Sequence, residues 1–218
     1  MAAHDPAPHR PLPVGTDRLN WAIMYARFRP TADPVRVLAI GVVMTLYSLS
    51  APAAPPAFSA CIDYACDERR EVSLRAQDWR QISDLFAGIH GAAAERNSIS
   101  QAIASMEQLV GAQTGTWQDL DQNSADNGGP GQLDCIAESI NSTTYLRLLE
   151  QTGLLRWHTV EERVRRQRWL VAIHWTAVIR DTDTQQLYAV DSWYGDNGAP
   201  AQVQPLADWR QGLYPPLR

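Results

Sequence analysis

The stretch Trp169–Arg180, which reads WLVAIHWTAVIR, constrains the fold more than any other part of the chain. It carries no acidic or basic residue other than His174 before Arg180, and it is rich in β-branched and aromatic side chains, so it reads as a strand. Alternation sends Trp169, Val171, Ile173, Trp175, Ala177 and Ile179 to one face, expected to be the core side, and His174 to the other with Leu170, Ala172, Thr176 and Val178. Such a strand needs a partner. Asp181-Thr182-Asp183-Thr184 has turn composition, and Gln186–Trp193 follows as a second β-like stretch. A four-residue loop there sets Arg180 opposite Gln185 and His174 directly opposite Asp191, with Cβ atoms about 5 Å apart. Any even-length loop keeps the two side chains on one face, whereas an odd one separates them.

Helical patterns precede this hairpin. Leu74, Trp79, Ile82, Leu85 and Phe86 recur at helical spacing within Leu74–Ala87, and Gly88 follows as a stop. Ile99, Ile103, Met106 and Val110 mark a second helix over Ala92–Val110, closed by Gly111, with His90 in the connection as a surface residue. A third helix opens at Asp134 and shows Ile136, Ile140, Tyr145, Leu148 and Leu149 before Gly153. Leu154–Val160 is a further β-like stretch. Helices followed by strands predict an α+β domain with an antiparallel sheet. Residues 112–132 have loop composition, and Asp119, Asp121, Asn123 and Asp126 invite a calcium reading. Ser124 replaces the turn glycine of a calcium loop and Pro130 stands where its bidentate glutamate belongs, so a solvated loop is expected and no cofactor is required.

The N-terminus reads as an address. Residues 37–62 lack charge, and the apolar run Val37–Leu49 follows Arg27, Arg29 and Arg36, the pattern of a secretory signal with cleavage after Ala53. The run is short for a membrane span. Met24 offers an alternative start that gives a signal of ordinary length, and Phe58-Ser59-Ala60-Cys61 is a loose lipobox, a secondary reading. The expected division is 1–53 as extension and signal, 54–72 as a loop, and 73–218 as the catalytic domain. From Ala54 onward fourteen Arg face twenty-one acidic residues, a balance of −7, which argues against nucleic acid or an anionic membrane as partner. The expected partner is a protein or peptide of the cell envelope, met in the periplasm or outside the cell. Glu162–Arg168 is the one basic cluster and reads as a solvated face or turn. Of three cysteines, Cys61 and Cys66 are close enough to pair in an exported chain, which leaves Cys135 as the odd thiol.

Cys135 is placed where a nucleophile benefits. Asp134 is a good N-cap, so Cys135 falls in the first helical turn, where unpaired N–H groups and the helix dipole favour a thiolate. His174 is the proton partner and Asp191 the carboxylate that orients it. Gln132 is a candidate oxyanion donor beside the Cys135 backbone N–H, and His158 a candidate supporting residue. Trp175 and Trp193 read as core.

This constellation resembles the transglutaminase-like superfamily, in particular the bacterial transglutaminase-like cysteine proteinases. The matching segments are Gly131-Gln132-Leu133-Asp134-Cys135, Ala172-Ile173-His174-Trp175-Thr176-Ala177-Val178 and Ala189-Val190-Asp191-Ser192-Trp193. The resemblance spans about Leu74 to Trp209 and implies a papain/transglutaminase-like fold with the nucleophile helix packed on an antiparallel sheet. It also implies amide hydrolysis through a thioacyl-enzyme, with transfer to an amine as the neighbouring chemistry. Where those proteinases carry acidic residues directly after the nucleophile, this chain has Ile136 and Ala137, and its acid comes at Glu138. Two other readings stand beside the enzyme: a noncatalytic envelope-binding module on the same fold, and a metal site made from Cys135, His174 and Asp191, which lacks a fourth ligand.

Overall fold

The computed structural model describes residues 54–123, 129–168 and 172–213, which all lie in the compact unit Ser48–Arg218. The signal segment, its cleavage site and the alternative start at Met24 lie outside the described residues, as do Asp126, Trp169 and Val171.

The chain opens with a two-stranded antiparallel hairpin, β1 (Phe58–Cys61) and β2 (Arg69–Val72). Residues 54–72 are therefore not a loop. Phe58, Ala60 and Val72 point into the main core, and the intervening turn is closed by the Cys61–Cys66 disulfide. The sulfur of Cys61 is thus held by Cys66 in this structure.

Helix α1 (Ala76–Asp84) and helix α2 (Ala92–Thr114) follow. α2 runs past the expected stop at Gly111. That glycine is required for close approach instead: a Cβ there would lie 2.8 Å from the Trp117 nitrogen and 2.9 Å from Asn197 Oδ1. The helix ends at Gly115, whose φ of 95° is the left-handed conformation of a C-cap glycine. Helix α3 (Cys135–Gln151) starts where its N-cap predicts, because the Asp134 carboxylate accepts the Ala137 N–H at 2.9 Å.

The second sheet is antiparallel with strand order β3-β4-β5-β6. β3 (His158–Arg168) contains the basic run expected to be a solvated face or turn, and Glu162, Arg165 and Gln167 are exposed along it. Its pairing with β4 (Ala172–Asp181) shifts register between Glu161 and Val164, then continues through Arg165↔Trp175 and Arg166↔His174. β5 (Leu187–Asp191), β6 (Gln202–Pro205) and helix α4 (Leu206–Gln211) complete the unit. The sequence reading contained neither β6 nor α4.

The β4–β5 hairpin is two residues out of the expected register. Arg180 pairs with Leu187 rather than Gln185, because Asp181–Gln186 forms a six-residue connection. Two interactions lengthen it: the Asp181 carboxylate accepts the N–H groups of Asp183 and Thr184, and Gln185 takes a left-handed φ of 60°. The offset is even, so His174 and Asp191 stay on one face as diagonal neighbours.

Both faces of this sheet are covered. Ala177, Ile179 and Val190 meet Tyr145, Leu146 and Leu149 of α3 in the main core. On the opposite face Val178 and Ala189 pack under Leu206 and Trp209 of α4. Ile173, expected on the core side, is 47% exposed because the α3 and α2 packing ends before it. The fold is mixed helix and antiparallel sheet, in agreement with an α+β class. Among the described residues no helix is long and apolar enough to cross a membrane.

Candidate active site

His174 and Asp191 lie on the sheet face covered by α4, and both are buried. His174 Nε2 is 2.7 Å from Asp191 Oδ2. Because a carboxylate only accepts, this contact places the proton on Nε2 and leaves a lone pair on Nδ1. His174 Nδ1 is buried and has no hydrogen-bond partner among the described residues. Buried acceptors left open in this way are uncommon, and they concentrate where a ligand or reacting group completes the set.

No hydrogen bond joins the Cys135 thiol to His174 Nδ1. The β4–β5 ladder stops at Ala177↔Val190, and the Trp175 N–H lies near enough to favour the Cys135 thiolate. That amide belongs to the peptide joining His174 to Trp175. Asp191 is close enough to act on the thiol electrostatically. Helix α3 therefore brings Cys135 to the His174–Asp191 end of the sheet.

The electrostatics differ from the expectation of a lowered thiol pKa. Burial pushes the Cys135 thiol up to about 11, and the negative charges of Asp134 and Asp191 act in the same direction. The N–H groups of Trp175 and of Cys135 itself oppose this but do not outweigh it. The first-turn dipole loses to desolvation of the sulfur, and the capping carboxylate of Asp134 adds a smaller push in the same direction.

Aromatic rings enclose the imidazole. Trp193, Tyr194 and Trp209 have centroids 4.7, 5.3 and 5.6 Å from that of His174. Trp193 and Trp175, expected in the core, are half-buried at the site: Trp193 Nε1 donates to the Asn123 carbonyl at 2.8 Å, and the Arg163 guanidinium lies 4.9 Å over the Trp175 ring. A cleft of about 820 Å³ opens beside Asp191 and Tyr194, walled by Arg96, Ser100 and Gln202. Of Cys135, His174 and Asp191, Asp191 alone lines it.

Two expected supporting residues belong elsewhere. Gln132 spends its amide on the loop before α3: Nε2 donates to the Gln118 carbonyl at 2.6 Å, and Oε1 accepts from the Leu120 N–H and from Asn123. One of its two Nε2 N–H donors is engaged there. His158 pairs with Asp181 at the far end of β4 from His174, where its Nδ1 is 2.9 Å from Glu95 Oε1. Glu95 also accepts the N–H groups of Arg156 and Trp157, so this buried pair ties α2 to the start of β3.

The loop expected to be solvated is clasped instead. Asp119 is buried and accepts from the Leu133 N–H at 2.7 Å and from Asn123 Nδ2 at 3.0 Å. It stands in a buried group with Glu107 and Glu138. Burial raises all three carboxyls, Glu107 to about 8, and Glu138 is raised further by the charges of Glu107 and Asp119. Ser192, the residue after Asp191, donates to Glu138 Oε2 and lies 3.0 Å from the Ser142 hydroxyl. Among the described residues no group of three or more His, Cys, Asp and Glu side chains is arranged to hold a metal ion.

Sequence reasoning passed over Tyr194, Trp209 and Arg166. Tyr194 was legible as an aromatic at the end of the Asp191 strand, but Trp209 carried no such signal because only tertiary packing returns α4 to Asp191. Comparison of the chain with protein-family models, curated proteins and solved structures finds no match.

Proposed function

We propose that this chain is an exported cysteine hydrolase of transglutaminase-like type, with a papain/transglutaminase-like arrangement of nucleophile helix and sheet. One observation carries the reading: the buried, open Nδ1 of an imidazole whose Nε2 is held by Asp191, on the strand whose Trp175 amide acts on the free Cys135 thiol. An open basic nitrogen is what proton transfer during nucleophilic attack requires.

The raised thiol pKa makes the resting Cys135 a neutral thiol. Cys135 S–H then gives its proton to His174 Nδ1 as sulfur attacks the amide carbonyl. The imidazolium passes that proton to the leaving amine, and a thioacyl-enzyme remains. Water, deprotonated by the same nitrogen, adds to the thioester and expels Cys135, which restores the thiol. Asp191 holds the tautomer throughout. The substrate class is a peptide or protein amide of the cell envelope, and an amine in place of water gives transamidation.

The second reading, a noncatalytic envelope module, draws on the same thiol. A cysteine pushed up to about 11 by burial is unreactive unless His174 relieves it. Iodoacetamide labelling decides between them. A thiol titrating near 11 is ionised to about one part in 10⁴ at pH 7, so the hydrolase reading expects labelling at pH 7 at least about tenfold faster in the wild type than in His174→Ala. Equal slow rates, both climbing only towards pH 11, would establish the noncatalytic module.

A further inference from the structure

Asp191 Oδ2 accepts two donors. Besides His174 Nε2 at 2.7 Å, it takes the indole N–H of Trp209 at 2.6 Å. Trp209 is fully buried and held in α4 against Val178, Ala189 and Leu206, so its N–H has little freedom to turn away. A carboxylate rotates easily about its last side-chain bond, and a single donor would not fix which oxygen faces the imidazole. Two donors from different elements converging on one oxygen do.

The support continues one residue further. Arg166 lies across the sheet from His174 in the β3–β4 register and is buried to 9% exposure. Its guanidinium carbon lies 4.5 Å from the centroid of the Trp209 ring. Nη1 donates to the Trp209 carbonyl, and Nη2 donates to the Tyr194 hydroxyl at 2.5 Å. Among the described residues no carboxylate forms a salt bridge with Arg166. A guanidinium brought this far from water without an acidic partner is held by hydrogen bonds and the indole face. A cation over that face draws electron density from the ring and makes the N–H on its edge a stronger donor.

We propose that Trp209 and Arg166 are positioning residues for the candidate catalytic pair: Trp209 pins Asp191 Oδ2 towards His174 Nε2, and Arg166 clamps Trp209 and Tyr194 over the imidazole. The consequence is a single imidazole tautomer with its lone pair on Nδ1. This rests on the hydrolase reading for its catalytic meaning, while the tautomer itself is measurable without any reaction.

The test is ¹⁵N-histidine NMR together with Cys135 labelling by iodoacetamide at pH 7, in the wild type, Trp209→Phe, Arg166→Met and Arg166→Lys, with the His174→Ala spectrum identifying the signal. Trp209→Phe keeps the ring and removes the donor. The expected result is one Nε2–H tautomer in the wild type, a mixture in Trp209→Phe and Arg166→Met, at least about a fivefold loss of labelling rate in both, and partial recovery in Arg166→Lys. A single Nε2–H tautomer and wild-type labelling in folded Trp209→Phe would overturn the proposal, whatever Arg166→Met does to folding. If wild-type labelling proves independent of His174, the hydrolase reading fails, and the tautomer comparison alone still supports or overturns the clamp.

Discussion

Asn141 brackets the backbone of Cys61: its Oδ1 accepts the Cys61 N–H at 2.8 Å and its Nδ2 donates to the Cys61 carbonyl at 3.0 Å. The disulfide hairpin is thereby sewn to the second turn of the helix that carries the candidate nucleophile. Cys61 also packs with Leu133 and Ala137, on either side of Cys135. Asn141→Ala leaves two buried backbone groups without partners and is expected to destabilise the protein by about 2–6 kcal/mol, at about 1–3 kcal/mol per orphaned group. Urea unfolding followed by tryptophan fluorescence measures this.

Loss of the cross-link itself should have a smaller effect. The disulfide closes a short loop, five residues in sequence separation, so a Cys61→Ser, Cys66→Ser double variant is expected to lose about 2 kcal/mol by loop entropy. Its unfolding midpoint in urea, compared with that of the wild type under reducing conditions, should coincide with it.

Glu107 sets a pH dependence of stability. Its carboxyl titrates near 4.5 when unfolded and is raised to about 8 by burial, so between these values the native state holds a proton that the unfolded chain has released. The stability this proton supplies is fully present below about 4.5 and is lost as pH rises through about 8. Glu138, raised in the same direction, adds to the slope. Thermal midpoints should therefore fall from pH 5 to pH 8, and Glu107→Gln, which cannot ionise, should flatten that fall.

Gly111→Ala tests the close approach of α2 to the following turn. Helix propensity favours the substitution by about 1 kcal/mol. The added Cβ would meet backbone at 2.8 Å, and overpacking of this kind costs about 1–3 kcal/mol. Net destabilisation is expected in chemical unfolding, whereas a gain in stability would show that the 115–118 turn can move aside.

Asp191→Asn examines the orienting carboxylate. Asparagine keeps the shape but can present an NH₂ group to His174 Nε2, which favours the opposite tautomer and closes Nδ1 as a base. Iodoacetamide labelling of Cys135 at pH 7 should fall to the rate of His174→Ala, with the fold intact by circular dichroism.

Periodicity and capping made much of this legible in the sequence. The α3 start at Cys135 was readable because Asp134 is a short acceptor placed to bond the N–H three residues on, a purely local interaction. The common face of His174 and Asp191 was readable because strand alternation survives any even change in the loop. The pairing register was not, since it depended on how Asp181 folded its own turn. The basic run at 162–168 left a solvated face and a turn both open, and Glu162, Arg165 and Gln167 are indeed exposed. Pairing with β4 and burial of Arg166 under Trp209 made it a strand.

The sequence by itself determined the local elements and the parity that puts imidazole and carboxylate side by side, because both follow from interactions within a few residues or along one hairpin. Only the tertiary structure decided the chemistry around them. It desolvated the half-buried thiol and raised its pKa, turned Gln132 and His158 to other work, and brought Trp209 back from 18 residues beyond Asp191 to hold the pair. Desolvation and long-range hydrogen bonds depend on what packs against a residue, and no pattern along the chain records that.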